Sequence, residues 1–339
     1  MTMPEPISPP PPIRSKLFDW PDFGMDDDIR SALAEAMKAG EAVALATLHA
    51  ARGGAPFGEG AQMLFTQTTV SGFLSGGCVE GDVAIHAADV LADGVPRHLI
   101  YGEGGPFDIQ LPCGSRIEIL VERIAADDPA AKRLIAQSAT RRPLVWVTDG
   151  TRRACVEPGN LANLPSPLGP ISPSDSASEL RIYRTYEPVR RLVVVGADPI
   201  ALSLLRLASE MGFETILVRP LGPDGPPSYV SQYYQSDIRA AFEALTPDPW
   251  TAIAVVIHDD AAENEALVAS LATSASYVGA LGSRRRIPER NVRLIAAGVG
   301  QDRIDTLHAP IGLPTGAKSP WEIAVSVMAE IVATSRFAA

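Results

Sequence analysis

Cysteine is scarce: Cys78, Cys113 and Cys155 are the three that occur in 339 residues. The count is odd, and neither a CxxC nor a Cys/His cluster accompanies it. A disulfide scaffold and a structural zinc finger are therefore excluded as organising devices, and a reducing cytoplasm fits best. Lysine is nearly as scarce, at Lys16, Lys38, Lys132 and Lys318, and no Tyr-x-x-x-Lys pair of a hydride-transfer site is present. Positive charge is in deficit, with Lys plus Arg 29 against Asp plus Glu 40 and a net charge of −11. That balance argues against a nucleic-acid partner held by bulk charge, though local amides can still hold a small anion. No apolar run reaches bilayer length, and the opening MTMPEPISPPPPIRSK has no apolar core of a signal peptide. The expectation is a soluble, cytoplasmic protein without a membrane partner.

What is present fits a globular chain, 46% apolar and 20% charged. At roughly 150 residues per domain, two domains are expected. Residues 1–24 form a proline-rich tail, with Pro9 to Pro12 favouring extended polyproline II. Residues 25–125 read as an N-terminal mixed α/β domain. A helix carries Ile29, Leu33 and Met37 and closes at Gly40. Strands follow at Ala42–Leu48, Met63–Phe65, Val70–Leu74, His98–Tyr101 and Arg116–Val121, with a helix over Val83–Leu91. Residues 126–187 weaken in pattern and read as a connecting region, with one strand at Leu144–Val147 and a Pro/Ser/Gly-rich stretch at 165–178. From 188 to 339 strand and helix alternate, which implies a Rossmann-like, doubly wound parallel sheet.

The dinucleotide fingerprint of that sheet is damaged. Gly196-Ala197-Asp198-Pro199-Ile200-Ala201 stands where GxGxxG/A belongs, with Asp198 in place of the glycine that lets a pyrophosphate approach. Asp198 is also a good helix cap, and Pro199 suits the first helical position. Arg219 replaces the acid expected after the second strand. NAD is disfavoured on these grounds, with NADP a minor alternative.

Several local patterns converge on one resemblance. They are Ala46-Thr47, Gly54-Ala55-Pro56, Ser75-Gly76-Gly77-Cys78-Val79-Glu80 and Leu111-Pro112-Cys113-Gly114 in the first half. The second half adds Tyr277-Val278-Gly279-Ala280-Leu281-Gly282-Ser283-Arg284-Arg285, Pro310-Ile311-Gly312-Leu313 and Glu322-Ile323-Ala324. In order and spacing the chain resembles the XdhC/CoxI family, accessory proteins of molybdenum hydroxylases, from about residue 30 to 335. The resemblance implies a chaperone that binds the molybdenum cofactor (molybdopterin) and protects it. It also implies support for sulfuration by a cysteine desulfurase and delivery to an apo-hydroxylase of the xanthine dehydrogenase or CO dehydrogenase type. An accessory chaperone of this kind has no turnover of its own. A homodimer is the expected state of such a soluble protein.

Under that resemblance, Cys78 and Cys113 are the candidate molybdenum ligands, one after two glycines beside a helix start and one in a Pro-Cys-Gly turn. For each the competing reading is a plain buried cysteine; Cys155 matches no motif and reads as structural. Gly76, Gly77 and Gly114 shape the same turns. Glu80 either caps amides at the helix start or accepts a pterin N–H. Gly282, Ser283, Arg284 and Arg285 follow a strand and suit a phosphate, whereas Arg286 reads as a solvated basic helix start. Gly196 and His258 face the crevice at the strand ends, His258 either touching a ligand or bonding a loop. Glu322 reads as a helix-start acid. The family's GSAPR is Gly53-Gly54-Ala55-Pro56-Phe57 here, and its GAGHVA turn is Gly196 to Ala201, so an arginine, a glycine and a histidine are lost. Two other classes compete with the chaperone: an NAD(P)-dependent oxidoreductase, and a scaffold that bridges desulfurase and apo-hydroxylase without binding cofactor.

Overall fold

The structure, a computed structural model, describes residues 20–25, 28–53, 58–103, 111, 114–164, 168 and 180–336. The chain divides into two compact units, Met1–Pro188 and Val189–Ala339. Among the described residues no helix is long and apolar enough to cross a membrane.

The first unit is built on an antiparallel sheet of β1 (Val43–Arg52), β2 (Gln62–Phe65), β3 (Val70–Gly72), β4 (Arg97–Tyr101) and β5 (Arg116–Ile124), in the order β3-β2-β1-β5-β4. Alternation sorts its side chains. Ala44, Ala46, Leu48, Leu99, Ile117, Ile119 and Val121 face one way, against α2 (Glu80–Asp93) with its Val83, Ala87 and Val90. Val43, Leu45, Leu64 and Ile124 face the other way, toward α1 (Arg30–Ala39) and α3 (Pro129–Ser138). Gly40 and Gly94 close α1 and α2 in the left-handed conformation that glycine adopts without a Cβ clash.

The stretch 126–187 is not a mere connector. After α3 it forms β6 (Leu144–Thr148), β7 (Arg153–Val156) and β8 (Ile182–Tyr186), a second antiparallel sheet in the order β7-β6-β8. Leu144, Trp146, Cys155 and Tyr186 share one core with Val43, Leu45 and Leu64 of the first sheet. Each strand is four or five residues long, too short to show a period in sequence. The reading of 165–178 as a loop falls, apart from Leu168, outside the described residues, as do the tail 1–19 and residues 54–57 and 112–113.

A buried ion network ties the two sheets. Glu122 on β5 is 1% exposed; Arg153 Nε donates to it at 3.0 Å, Thr148 Oγ1 at 2.8 Å and Trp146 Nε1 at 3.3 Å. Arg153 also reaches Asp128 Oδ2 at 2.8 Å. Burial pushes the Glu122 carboxyl above its usual range, against the pull of Arg153 and the hydrogen bonds.

The second unit is the doubly wound parallel sheet that the alternation implied. Its strands are β9 (Arg191–Gly196), β10 (Glu214–Val218), β11 (Gln232–Tyr234), β12 (Thr251–Val256) and β13 (Tyr277–Ala280), ordered β11-β10-β9-β12-β13 and all parallel. One face packs Leu192 and Val194 against α4 (Pro199–Glu210) and α9 (Pro320–Arg336). The other packs Val193 and Val195 against α5 (Ile238–Leu245), α6 (Asp260–Leu271) and α7 (Ile287–Ala296). A short α8 (Gln301–Ile304) adds Ile304 to that side. Both faces are covered, hence the unbroken apolar runs.

Arg153→Ala leaves the Glu122 carboxylate buried without its cation. We expect a loss of about 3–5 kcal/mol, read by urea denaturation as a lower midpoint.

Candidate functional site

In the first unit, the Ser75–Glu80 segment joins β3 to α2. Gly76 and Gly77 have φ of +93° and +98°, a left-handed pair that side-chain-bearing residues resist. A Cβ on Gly77 would meet nothing within 4 Å, so backbone conformation, not space, calls for glycine there. Glu80, 3% exposed, organises the turn from within. Its Oε1 accepts the amides of Leu74 at 3.1 Å and Ser75 at 2.6 Å; its Oε2 accepts those of Gly77 at 3.0 Å and Val79 at 3.2 Å and the Ser75 hydroxyl at 2.8 Å. Ser75 Oγ accepts the Cys78 and Val79 amides, both at 3.2 Å. Of the two roles read for Glu80, the structure shows it holding amides.

The consequence is chemical. The amides of Gly77, Cys78 and Val79, which lead into this helix start, are already engaged by Glu80 and Ser75. What the turn presents instead is the Cys78 side chain, exposed and free. Tyr101 OH donates to Asp82 Oδ2 at 2.7 Å and fixes the first turn of α2 from below. Burial, then that hydrogen bond, pushes the Tyr101 phenol up, so it stays a donor. Cys155 differs in kind: it is buried in the core between the sheets, and burial pushes its thiol up to about 11. Cys113 lies outside the described residues. Gly114, its neighbour, has φ +66° and donates its amide to Leu111 O at 2.9 Å; it lines an open cleft of about 400 Å³ with Arg52, Arg116 and Glu118.

In the second unit, Asp198 caps α4, its Oδ1 accepting the Ala201 amide at 2.9 Å. His258 Nε2 lies 3.3 Å from Asp198 Oδ2, across the point where the strand order reverses. The place of a dinucleotide pyrophosphate is thus held by a carboxylate and an imidazole. Gly196 has a packing reason of its own: a Cβ there would lie 2.4 Å from Val256 O. His258 bonds the turn after β9, and Asp259 caps α6.

Beyond β13, Ser283, Arg284 and Arg285 are exposed, and neither arginine has an ion pair among the described residues. Arg286 departs from the solvated reading. It pairs with Asp260 and lies 3.5 Å from Glu263. Glu263, 1% exposed, also holds the buried Arg290 at 2.7 Å and Arg293 at 3.2 Å. Arg290 donates to Leu281 O at 2.9 Å, and a Cβ on Gly282 would meet its guanidinium at 2.9 Å. The exposed loop therefore rests on a buried arginine that sequence patterning did not flag. Glu322 accepts the amides of Lys318 and Ser319, each at 3.0 Å, and these bonds hold its carboxyl below the usual range.

Fold and site together define a class: a two-unit α/β protein with a closed Rossmann turn in one unit and a thiol-presenting glycine turn in the other. Residues 192–331 match the model of the XdhC Rossmann domain, and residues 36–102 match that of the XdhC and CoxI family. The chain belongs to the XdhC/CoxI family. It is 28% identical to the molybdenum cofactor insertion chaperone PaoD of Escherichia coli over 313 residues, which is 91% of this chain and 89% of that one. It is 28% identical to a probable xanthine dehydrogenase component of Bacillus subtilis over 329 residues, 87% of this chain and 94% of that one. Its fold is similar to a crystal structure described as a xanthine dehydrogenase from Bacillus halodurans, with a TM-score of 0.72 at 23% identity over 91% of this chain and 96% of that one.

Two variants test the turn. In a Cys113→Ala background, Ellman's reagent should titrate Cys78 within seconds and Cys155 only on unfolding; the absence of a fast thiol would contradict the exposure of Cys78, and fast reaction persisting after Cys78→Ser would contradict the burial of Cys155. Glu80→Ala should cost at least about 3 kcal/mol in chemical denaturation, because it strands several buried amides at once.

Proposed function

We propose that this chain is a molybdenum cofactor insertion chaperone for a hydroxylase of the xanthine dehydrogenase type, and that Cys78 is its contact with the metal centre. The observation that carries the reading is the exposed Cys78 thiol on a turn whose amides are held internally by Glu80 and Ser75. The PaoD relative, matched along most of both chains, supports the chaperone role. When bound, the cofactor supplies a molybdenum centre with dithiolene and oxo ligands on a pterin that ends in a phosphate.

The residues present fit such a group. A thiolate is a suitable ligand for a metal of this softness, and Cys78 is sterically open to one. The fixed backbone from Ser75 to Val79 limits where the sulfur can go, so the contact is preorganised. In the second unit, Ser283, Arg284 and Arg285 offer a hydroxyl and two guanidinium groups with no ion pair among the described residues, chemistry that suits a phosphate. Gly282 lets that loop lie close over Arg290. Sulfuration by a desulfurase and hand-over to the apo-hydroxylase are part of the same proposal. The scaffold is the second reading, favoured by one observation: Asp198 and His258 close the Rossmann turn.

The test is to express the chain in a molybdenum-replete host, purify it without oxygen, and measure molybdenum and pterin per chain. Near-stoichiometric values are expected in the wild type, with at least a tenfold drop in Cys78→Ala and faster loss of cofactor in the Arg284→Ala, Arg285→Ala double variant. Cys113→Ala runs in parallel as the other candidate ligand. Full retention in Cys78→Ala would overturn the assignment of that residue. Neither metal nor pterin in the wild type, where a known carrier retains both, would favour the scaffold; a scaffold should still activate the hydroxylase with both cysteines replaced.

A further inference from the structure

Two of the five histidines of the chain meet on the first unit, far apart in sequence and outside the motifs quoted above for the family resemblance. His49 Nε2 and His98 Nε2 are 2.9 Å apart, their rings stacked at 5.0 Å between centroids. Glu118 Oε2 lies 3.4 Å from His98 Nε2, and the three donor atoms all fall within 4.8 Å of one another. Three features of the fold build this convergence. The strand order places β1, β5 and β4 side by side. His98 pairs with Leu120 and Ile100 with Glu118, so His98 and Glu118 are diagonal neighbours on the face away from α2. The register of β1 against β5 shifts between Leu48 and Ala50, which leaves His49 as the extra residue of a bulge opposite Glu118. Bulges of this kind re-aim a side chain and recur beside functional sites.

The carboxylate is also oriented from outside. Arg116 donates to Glu118 Oε1 from Nε at 3.2 Å and from Nη2 at 3.1 Å, while its Nη1 is tied to Glu103 O at 2.6 Å. One oxygen is thereby fixed, and the other is turned to the imidazoles. A group that positions a ligating carboxylate in this way is the usual outer shell of a metal site. The cleft of about 400 Å³ beside Glu118 and another of about 430 Å³ beside His49 keep the cluster open to solvent.

The geometry points to a divalent metal site formed by His49, His98 and Glu118, for Zn²⁺ or a similar borderline cation with a fourth position open to water. Two imidazoles and one carboxylate are a recurrent zinc donor set. Bonds of about 2.0–2.1 Å in a tetrahedron put donor atoms about 3.3 Å apart, between the two separations found here. Imidazole ligands exclude Mg²⁺ and Ca²⁺, which take oxygen. The inference stands apart from the cofactor proposal: it uses none of the same residues.

The full-length, EDTA-stripped protein is titrated with Zn²⁺ by calorimetry and with Co²⁺ by visible absorption. One equivalent of Zn²⁺ should bind with micromolar or tighter affinity, raise the melting temperature, and compete away a Co²⁺ band near the visible d–d region. His49→Ala and His98→Ala should each weaken binding by more than about 100-fold and abolish the melting shift, with circular dichroism unchanged. Arg116→Ala should weaken it by about 10–100-fold, as an outer-shell loss does. Cys78→Ser should bind like the wild type. Wild-type protein without a saturable equivalent, or His98→Ala binding as tightly as wild type, would overturn the site and leave a plain imidazole–imidazole hydrogen bond; loss only in Cys78→Ser would place the metal on that thiol instead.

Discussion

The Glu80 carboxylate sets the form of the glycine turn on which the rest of the first unit's chemistry depends. Four amides and one hydroxyl converge on its two oxygens, inside a 3%-exposed pocket. A charge can be buried this way only because nearly every lone pair is answered. Remove those donors and the acid would be expelled; remove the acid and the amides would need water that the packing excludes. The two left-handed glycines follow from the same requirement, since they bend the chain tightly enough to aim successive N–H groups at one side chain. Cys78 is then the residue left pointing outward.

The same use of acid recurs at helix starts. Asp128, Asp198, Asp237 and Asp259 each accept an amide in the first turn of α3, α4, α5 and α6. Part of the negative charge of the chain is therefore spent on helix-start amides, with Asp237 and Asp259 exposed as they do so. It also bears on ligands. A Rossmann sheet ordinarily offers the helix after its first strand to a pyrophosphate. Here Asp198 has taken that position and His258 stands against it. An anion at this turn would meet Asp198 and His258, whereas Arg284 and Arg285 offer side-chain donors elsewhere in the unit.

Much of this was legible because its causes are local. Asp-Pro at 198–199 signals a capped helix, and Gly-Gly before Cys78 signals a turn between strand and helix. The alternation after residue 188 signals the parallel sheet. What was not legible depends on partners distant in the chain. The strands at 144–148, 153–156 and 182–186 are short, and their burial comes from partners elsewhere in the chain: the first sheet on one face, and Leu161, Leu164 and Leu168 on the other. Arg286 reads as solvated until α6 brings Asp260 and Glu263 beside it. No spacing rule connects His49 with His98, because only the strand order and a one-residue bulge bring them together.

Strand β5 shows how position on one face divides labour among like residues. Glu118 and Glu122 sit four apart, so both point away from α2, and each has an arginine partner. At Glu122 the second sheet closes over the pair, and every donor comes from the protein: Arg153, Thr148 and Trp146. That carboxylate is confined to holding the two sheets together. At Glu118 the carboxylate is partly exposed, Arg116 occupies only one oxygen, and the other is directed at two imidazoles beside open clefts, one of them lined in part by β8 of the second sheet. The chemistry available to each acid follows from how completely it is buried and how many protein donors meet it, not from the residue type itself.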